Sequence, residues 1–301
     1  MNWLPSIDIV VPCYNVDHIV EQCVNSLLTQ KCDENLITIY LINDGSTDTT
    51  GEILNSFSHH QHINIIHHEK NRGLSAARNT GIKSGTGEVI IFLDSDMTVQ
   101  PNWISEHINI LKNNNVVGVI GDSQLPHGNI PTKLESYLYD PRRGARRFGE
   151  GTPIRFSYFL LNNTSLKRSV FDVIEFFDEN IMSYGGEDTE LAIRLWEAYP
   201  DGLRFSFSAT CEHHHPRELN DYCNLMYGYG KTNLPSLLKQ FPQYNTELGG
   251  QWIKSIKGYL LFNPIVRFWV AKTRHFRNSF WLSRYLVIDA VIRGARTVSR
   301  R

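Results

Sequence analysis

The sequence predicts an α/β fold: a mostly parallel, Rossmann-like sheet flanked by helices, with a helical appendage at the C-terminal end. Three observations carry this expectation. Between Ile7 and Ile120 short β-branched runs (IDIVVP, ITIYLI, INIIHH, EVIIFLD, VVGVIG) alternate with helix-like stretches such as HIVEQCVNSLLTQ and GLSAARNTGIKSG. Such alternation marks βαβ units, whose sheet is covered on both faces. Polar clusters then follow three of the runs, at Cys13-Tyr14-Asn15, at Asn43 to Asp48 and at Asp94-Ser95-Asp96; open α/β sheets place ligands at these carboxyl ends. Finally, from about Arg217 the pattern turns helical, with a Pro-containing break near Pro235 to Pro242 and amphipathic segments after Gln251.

At 301 residues the chain is long enough for a full core but short for two large domains. The reading is one main domain, residues 1–232, in two halves (1–121 and 122–232), followed by a basic amphipathic appendage, 233–301. Five cysteines, with no C-x-x-C pair, exclude a disulfide framework in favour of buried thiols. The net charge of −1 hides an asymmetry. Residues 251–301 hold eleven Lys and Arg against the single acid Asp289, a charge of +10, which leaves −11 for the rest. The two parts are expected to face different partners.

In the second half a basic loop, PRRGARRFGEG, precedes a strand-like RFSYFLLNN, an acidic turn into a helix, GGEDTELAIRLWEAY, and a further strand, LRFSFSATCEHHH. Asp94 and Asp96 leave the apolar run VIIFL together. Close carboxylates repel and are stabilised by an oxygen-seeking divalent cation, so the pair is a candidate site for Mn²⁺ or Mg²⁺; the plainer reading is an Asp-rich turn. NDGSTDTTGEIL opens a helix, with Ser46 or Thr47 as N-cap and Asp48 in the first turn. A capped turn leaves Asp44 unexplained, and a carboxylate there suits the imide N–H of uracil or an equivalent base edge. His213-His214-His215 ends a strand-like run; imidazole commonly joins carboxylates around a metal, and alternation lets at most two of the three share a side. Arg142, Arg143, Arg146 and Arg147 form either a solvated loop or a seat for phosphate. Glu187 and Asp188 begin a helix, where acids favour the N-terminus.

Taken in order and spacing, VVPCYN, NDGSTD, NRGLSAARNTGI, GEVIIFLDSDM, FDE and GGEDTELAIRL resemble glycosyltransferase family 2 over roughly residues 6–232. Agreement among several independent motifs makes the resemblance specific. It implies the A-type glycosyltransferase fold and inversion at the anomeric carbon. It further implies that Pro12, Tyr14 and Asp44 surround the nucleoside, that Arg78 lies near the donor, and that Asp94 and Asp96 hold ribose and metal. His213 is the first choice for an imidazole ligand and His215 the second. An inverting transfer requires one base opposite the leaving diphosphate; the resemblance assigns that role to Asp188, with Glu187 orienting the acceptor. Asn162 and Asn163 match an acceptor-side Asn, and Arg168 reads as structural. Val16 departs from the pattern, since many relatives carry an acid there.

The expected reaction moves a sugar from a nucleotide-diphosphate sugar, UDP being common in the family, to a hydroxyl of a glycan or lipid-linked acceptor in cell-surface glycan synthesis. The rival is an inactive nucleotide-sugar-binding or scaffold protein, because fold alone does not establish activity; intact Asp94, Asp96 and Asp188 oppose it. With no Q-x-x-R-W motif and no membrane-spanning apolar run, single-sugar addition is favoured over processive synthesis. The absence of a basic n-region before the first strand-like run gives a cytoplasmic expectation. The stretches IKGYLLFNPIVRFWVAK and SFWLSRYLVIDAVIRGARTVSRR have the composition of helices lying in an interface. The expected partner surface is therefore the anionic inner face of a membrane; packing on protein or a homo-oligomer contact is the alternative. No nucleic acid partner is expected.

Overall fold

The computed structural model describes residues 3–214, 217–276 and 279–298. His215, the second imidazole candidate, lies outside the described residues. In chain order the elements are β1 (Ile7–Cys13), α1 (Val20–Leu28), β2 (Ile37–Asn43), α2 (Thr50–Ser56), β3 (Ile63–His67), α3 (Leu74–Ser84), β4 (Val89–Leu93), β5 (Met97–Val99), α4 (Trp103–Leu111), β6 (Gly118–Gln124), α5 (Glu135–Leu138), β7 (Asn163–Lys167), α6 (Phe171–Ile174), α7 (Glu187–Ala198), β8 (Leu203–His213), α8 (Leu219–Lys231), α9 (Asn233–Gln240), α10 (Gln251–Lys254), α11 (Ile256–Leu261), α12 (Pro264–Phe276) and α13 (Phe280–Val298). They form two compact units: residues 1–127, 144–182 and 187–215 in one, and 128–143, 183–186 and 216–301 in the other.

The first unit contains an eight-stranded sheet of order β3-β2-β1-β4-β7-β6-β8-β5. The pairs β2–β3, β1–β2, β1–β4 and β6–β8 are parallel. Strand β7 runs antiparallel between β4 and β6, and β5 runs antiparallel along β8. The expected mostly parallel, helix-flanked sheet is thus present. Every residue of β1 and β4 is buried, which is why these runs read as continuously apolar. Val11, Leu41, Ile91 and the fully buried Trp103 belong to the core beneath.

Some local expectations are corrected. Within the strand-like RFSYFLLNN, Phe156–Tyr158 is a short 3₁₀ turn and the strand starts only at Asn163; alternation of aromatic and polar residues there serves a turn that buries Phe156 and Phe159. Helix α2 starts at Thr50, after Thr49, with no side-chain cap from Ser46 or Thr47. Asp48 instead accepts the Thr50 N–H at 3.0 Å. The expected proline break is present: α8 ends at Lys231, the residue whose carbonyl Pro235 cannot bond, Pro235 sits in the first turn of α9 where no intrahelical N–H is needed, and α9 ends at Gln240, just before Pro242.

The second unit buries Leu134, Tyr137, Leu219, Phe280 and Val287 in one cluster, and Leu234, Ile253, Phe262, Ile292 and Ala295 in another. Its division from the first unit differs from a cut at residues 232 and 233, since α8 falls with the C-terminal helices. The reason is a glycine contact. A Cβ on Gly230 of α8 would lie 2.1 Å from the Val291 carbonyl oxygen, and one on Gly294 of α13 would lie 2.1 Å from that of Tyr227. The two helices therefore touch backbone to backbone. Among the described residues no helix is long and apolar enough to cross a membrane.

Candidate active site

The site grows from the carboxyl ends of β1, β2 and β4 and from the start of α7, all in the first unit. Past β1 and β2 the loops are knitted together. The Asn15 N–H donates to Ser46 Oγ at 3.1 Å, the Thr47 N–H donates to Asn15 Oδ1 at 2.8 Å, and Asp17 accepts from Thr49 Oγ1 at 2.9 Å. Gly45 is required here. Its φ is +69°, and a Cβ would fall 2.4 Å from the Lys70 carbonyl carbon, so a side chain is excluded twice over.

Pro12 is buried within β1, opposite Ile42, and Tyr14 stands exposed just beyond the strand. Asp44 is buried at the end of β2. Its carboxylate accepts the backbone N–H groups of Arg72 and Gly73, each at 2.9 Å, and lies 2.6 Å from His68 Nδ1, whose other nitrogen meets Thr80 Oγ1 at 2.9 Å. Asp44 therefore organises the loop that leads into α3. His68 was not singled out from the sequence, although it follows β3 just as Asp44 follows β2.

Arg78, on α3, is 1% exposed and is the centre of the site. Its Nη1 donates to Asp188 Oδ1 at 2.6 Å and lies 3.9 Å from Glu187 Oε1; its Nη2 donates to Asp94 Oδ1 at 3.3 Å and to the Leu161 carbonyl at 3.1 Å. The guanidinium also lies 5.4 Å from the centroid of the Phe177 ring. The Leu161 N–H completes the clamp on Asp188, donating to Oδ2 at 3.1 Å. Three carboxylates thus converge on one buried cation. Burial raises the Asp94 carboxyl above its ordinary range; Arg78 opposes the rise, while Asp96 and Asp188 add to it. Burial, then the charge of Asp188, pushes Glu187 up to about 7, again against Arg78.

Asp96 and His213 meet because β5 pairs with the end of β8, setting Met97 opposite His213. Their Oδ2 and Nε2 atoms lie 3.2 Å apart. His214 points elsewhere, its Nε2 2.8 Å from Thr98 Oγ1, as strand alternation requires. Among the described residues no three His, Cys, Asp or Glu side chains gather as a metal cage; Asp94 is turned to Arg78.

The remaining candidates separate. Asn163 is fully buried: its Oδ1 faces Trp103 Nε1 at 2.8 Å and His107 Nε2 at 3.1 Å, and its Nδ2 donates to the Ala209 carbonyl at 3.0 Å. It is a core residue, not an acceptor contact. Asn163→Leu is expected to cost about 2–4 kcal/mol in a denaturant titration, since two buried donors lose their acceptor; an unchanged midpoint would show that the network is dispensable. Arg168 is structural as expected, donating to Ile82 and Gly87 carbonyls and pairing with Asp8. Arg146 pairs with Asp122 and Arg147 lies over Phe148 and Tyr158. In the second unit, Arg142 binds Asp140 and Arg143 covers Tyr137. The basic loop is therefore largely engaged with its own chain.

Residues 8–171, more than half of the chain, match Glycosyl transferase family 2. Uncharacterized glycosyltransferase YfnE of Bacillus subtilis (strain 168) is 27% identical over 243 residues, covering 65% of this chain and 61% of that protein. The chain spans less than two thirds of the length of the curated relatives it matches. Residues 1–349 of S. aureus TarS in complex with UDP superpose with a TM-score of 0.56 at 16% identity, over 98% of this chain and 91% of that one. Mannosyltransferase PcManGT from Pyrobaculum calidifontis, in complex with GDP-Man and Mn²⁺, gives 0.60 at 15% identity, over 97% and 88%. These likenesses give the fold as the A-type glycosyltransferase fold. With β1 to β4, Arg78 and the Asp94–Asp96 pair inside the matched stretch, the chain belongs to glycosyl transferase family 2.

Proposed function

We propose that this chain is an inverting glycosyltransferase that moves one sugar from a UDP-sugar to an acceptor hydroxyl in cell-surface glycan synthesis. The observation that supports it most directly is the single guanidinium of Arg78 joining Asp94, at the end of β4, to Asp188, at the start of α7. Residues expected on the donor and acceptor sides thereby share one rigid centre. Pro12, Tyr14 and Asp44 flank the nucleoside. Asp188, fixed by Arg78 and the Leu161 N–H, takes the proton of the acceptor hydroxyl while its oxygen forms the new bond to the anomeric carbon and the bond to the diphosphate breaks. Glu187 orients the acceptor. Nucleoside diphosphate leaves in one displacement, and no covalent enzyme intermediate is involved.

Asp96 and His213 offer a carboxylate oxygen and an imidazole nitrogen side by side, with Asp94 beside them; the carboxylates suit Mn²⁺ or Mg²⁺, and the nitrogen donor favours Mn²⁺ of the two. When bound, the cation supplies charge stabilisation to the leaving diphosphate. The acceptor is a glycan or a lipid-linked saccharide, and the basic C-terminal helices hold the enzyme against the inner face of a membrane. The test is a panel of nucleotide sugars with Mn²⁺, scored by released nucleoside diphosphate. Activity is expected to vanish with chelator and return with Mn²⁺ or Mg²⁺, and Asp96→Ala should weaken metal and donor binding together, His213→Ala less so. Full activity after exhaustive chelation would remove the metal from this account. A protein that binds nucleotide but turns over nothing would favour an inactive binding protein.

A further inference from the structure

The second unit carries a cleft that the transfer reaction does not use. It measures about 620 Å³, and its walls bring together Arg267, Arg293, Arg296, Tyr227, Tyr259 and Thr297, with no carboxylate among the described residues that line it. Behind the wall, Asp289 is buried and accepts from Arg267 at 2.5 and 3.2 Å and from Arg293 at 3.1 Å. Two guanidiniums thus share one carboxylate, which leaves the cleft cationic. Arg293 also lies over Tyr227, and Arg296, anchored to the carbonyls of Trp252, Ile253 and Phe262, stacks 4.2 Å from the centroid of Tyr259. Planar, pre-positioned guanidiniums of this kind match the oxygens of a phosphate.

The rim of the cleft adds a second, independent feature. Tyr259, Phe262 and Pro264 belong to α11, its end and the start of α12, and these same helices expose Ile256 (80%), Leu260, Ile265 (71%), Phe268 (60%) and Trp269 to solvent. Lys257 and Lys272 stand exposed among them. Aromatic and aliphatic side chains turned outward and flanked by lysines compose a helix face that lies in the headgroup–acyl boundary of a bilayer. The charge of +10 over residues 251–301 matches an anionic leaflet.

We propose that this cleft takes the phosphodiester headgroup of an anionic phospholipid while Ile256, Leu260, Ile265, Phe268 and Trp269 enter the acyl boundary. The proposal rests on the membrane-surface part of the function above and gives it a discrete site.

The experiment uses the full chain with vesicles of phosphatidylcholine, alone or mixed with phosphatidylglycerol, and titrates soluble dihexanoyl-phosphatidylglycerol below its micelle concentration. The protein is expected to float only with the mixed vesicles and to bind the short-chain lipid saturably at one site. Arg293→Gln should weaken that binding about fivefold or more, the effect of one basic side chain near an anionic surface. Thr297→Glu, an exposed position that sets a carboxylate in the lining, should do the same and guards against loss of stability in the arginine variant. Phe268→Ser with Trp269→Ser should abolish flotation yet spare the soluble lipid. If both Arg293→Gln and Thr297→Glu bind like the wild type, the cleft is not the site, and attachment passes to the surface lysines alone. Equal affinity for inorganic phosphate would overturn the lipid assignment. Failure of the wild-type protein to float with any vesicle at low salt would overturn the membrane reading itself and leave glycosyl transfer untouched.

Discussion

Asp188→Asn is expected to lower the rate of transfer by about 10²–10⁴-fold, the usual contribution of a positioned general base, with nucleotide affinity nearly unchanged. The carboxylate is held between two donors, Arg78 Nη1 and the Leu161 N–H. An amide of the same shape keeps one of these contacts but cannot take up the acceptor proton. Single-turnover kinetics with a saturating donor, beside a direct titration of nucleotide, separate the two quantities. Glu187→Gln serves as the comparison, because burial has raised Glu187 to about 7 and placed it next to the same guanidinium. Near-normal turnover in Asp188→Asn combined with a collapse in Glu187→Gln would transfer the base role to Glu187.

Arg78→Met should destabilise the fold and make its stability depend on pH. Removing the cation leaves Asp94, Glu187 and Asp188 facing one another without compensation. Loss of one partner from a buried charge cluster costs roughly 3–5 kcal/mol; the carboxylates retain some contact with water, so the lower end, about 3 kcal/mol, is the expectation. In a protein of this size that is a fall in Tm of about 5 °C. The sign of its pH dependence follows from the carboxyl groups. Asp94 and Glu187 are already raised in the folded state, and without Arg78 they rise further, so the folded form binds protons more readily than the unfolded chain. Stability of the variant therefore falls as pH rises through these values and recovers as pH falls below them. A variant that melts like the wild type at neutral pH, or loses stability on acidification from neutral, would contradict this account of the cluster.

The central architecture was legible because buried parallel strands leave a strong trace. IDIVVP, ITIYLI, INIIHH, EVIIFLD and VVGVIG correspond to β1, β2, β3, β4 and β6, and the two long helical patterns between them to α1 and α3. The three-residue β5 was not legible, since nothing in Met97–Val99 distinguishes a short edge strand from a turn. Yet it is this pairing with β8 that brings His213 to Asp96. Asn163 illustrates the opposite failure. Its partners Trp103, His107 and Ala209 are far away in sequence, so an amide that matches a functional motif and an amide that ties together a core look alike until the chain is folded. Arg78 was expected near the donor, but its burial under Asp94, Glu187 and Asp188 depends on contacts between α3 and α7 that no local pattern records.

The strand order has a consequence for how the protein behaves at high local concentration. The sheet ends in β3 on one side and β5 on the other, five and three residues long, whereas β1, β2, β6 and β8 are inside and run to seven or more. Unpaired strand edges are templates on which another chain can add by backbone hydrogen bonding, and short edges with polar side chains blunt that growth. Here one rim is only three residues long and the other carries Asn64 and His67 exposed to solvent. Rims this short, one of them with polar side chains outward, offer little backbone on which a second copy could extend the eight-stranded sheet.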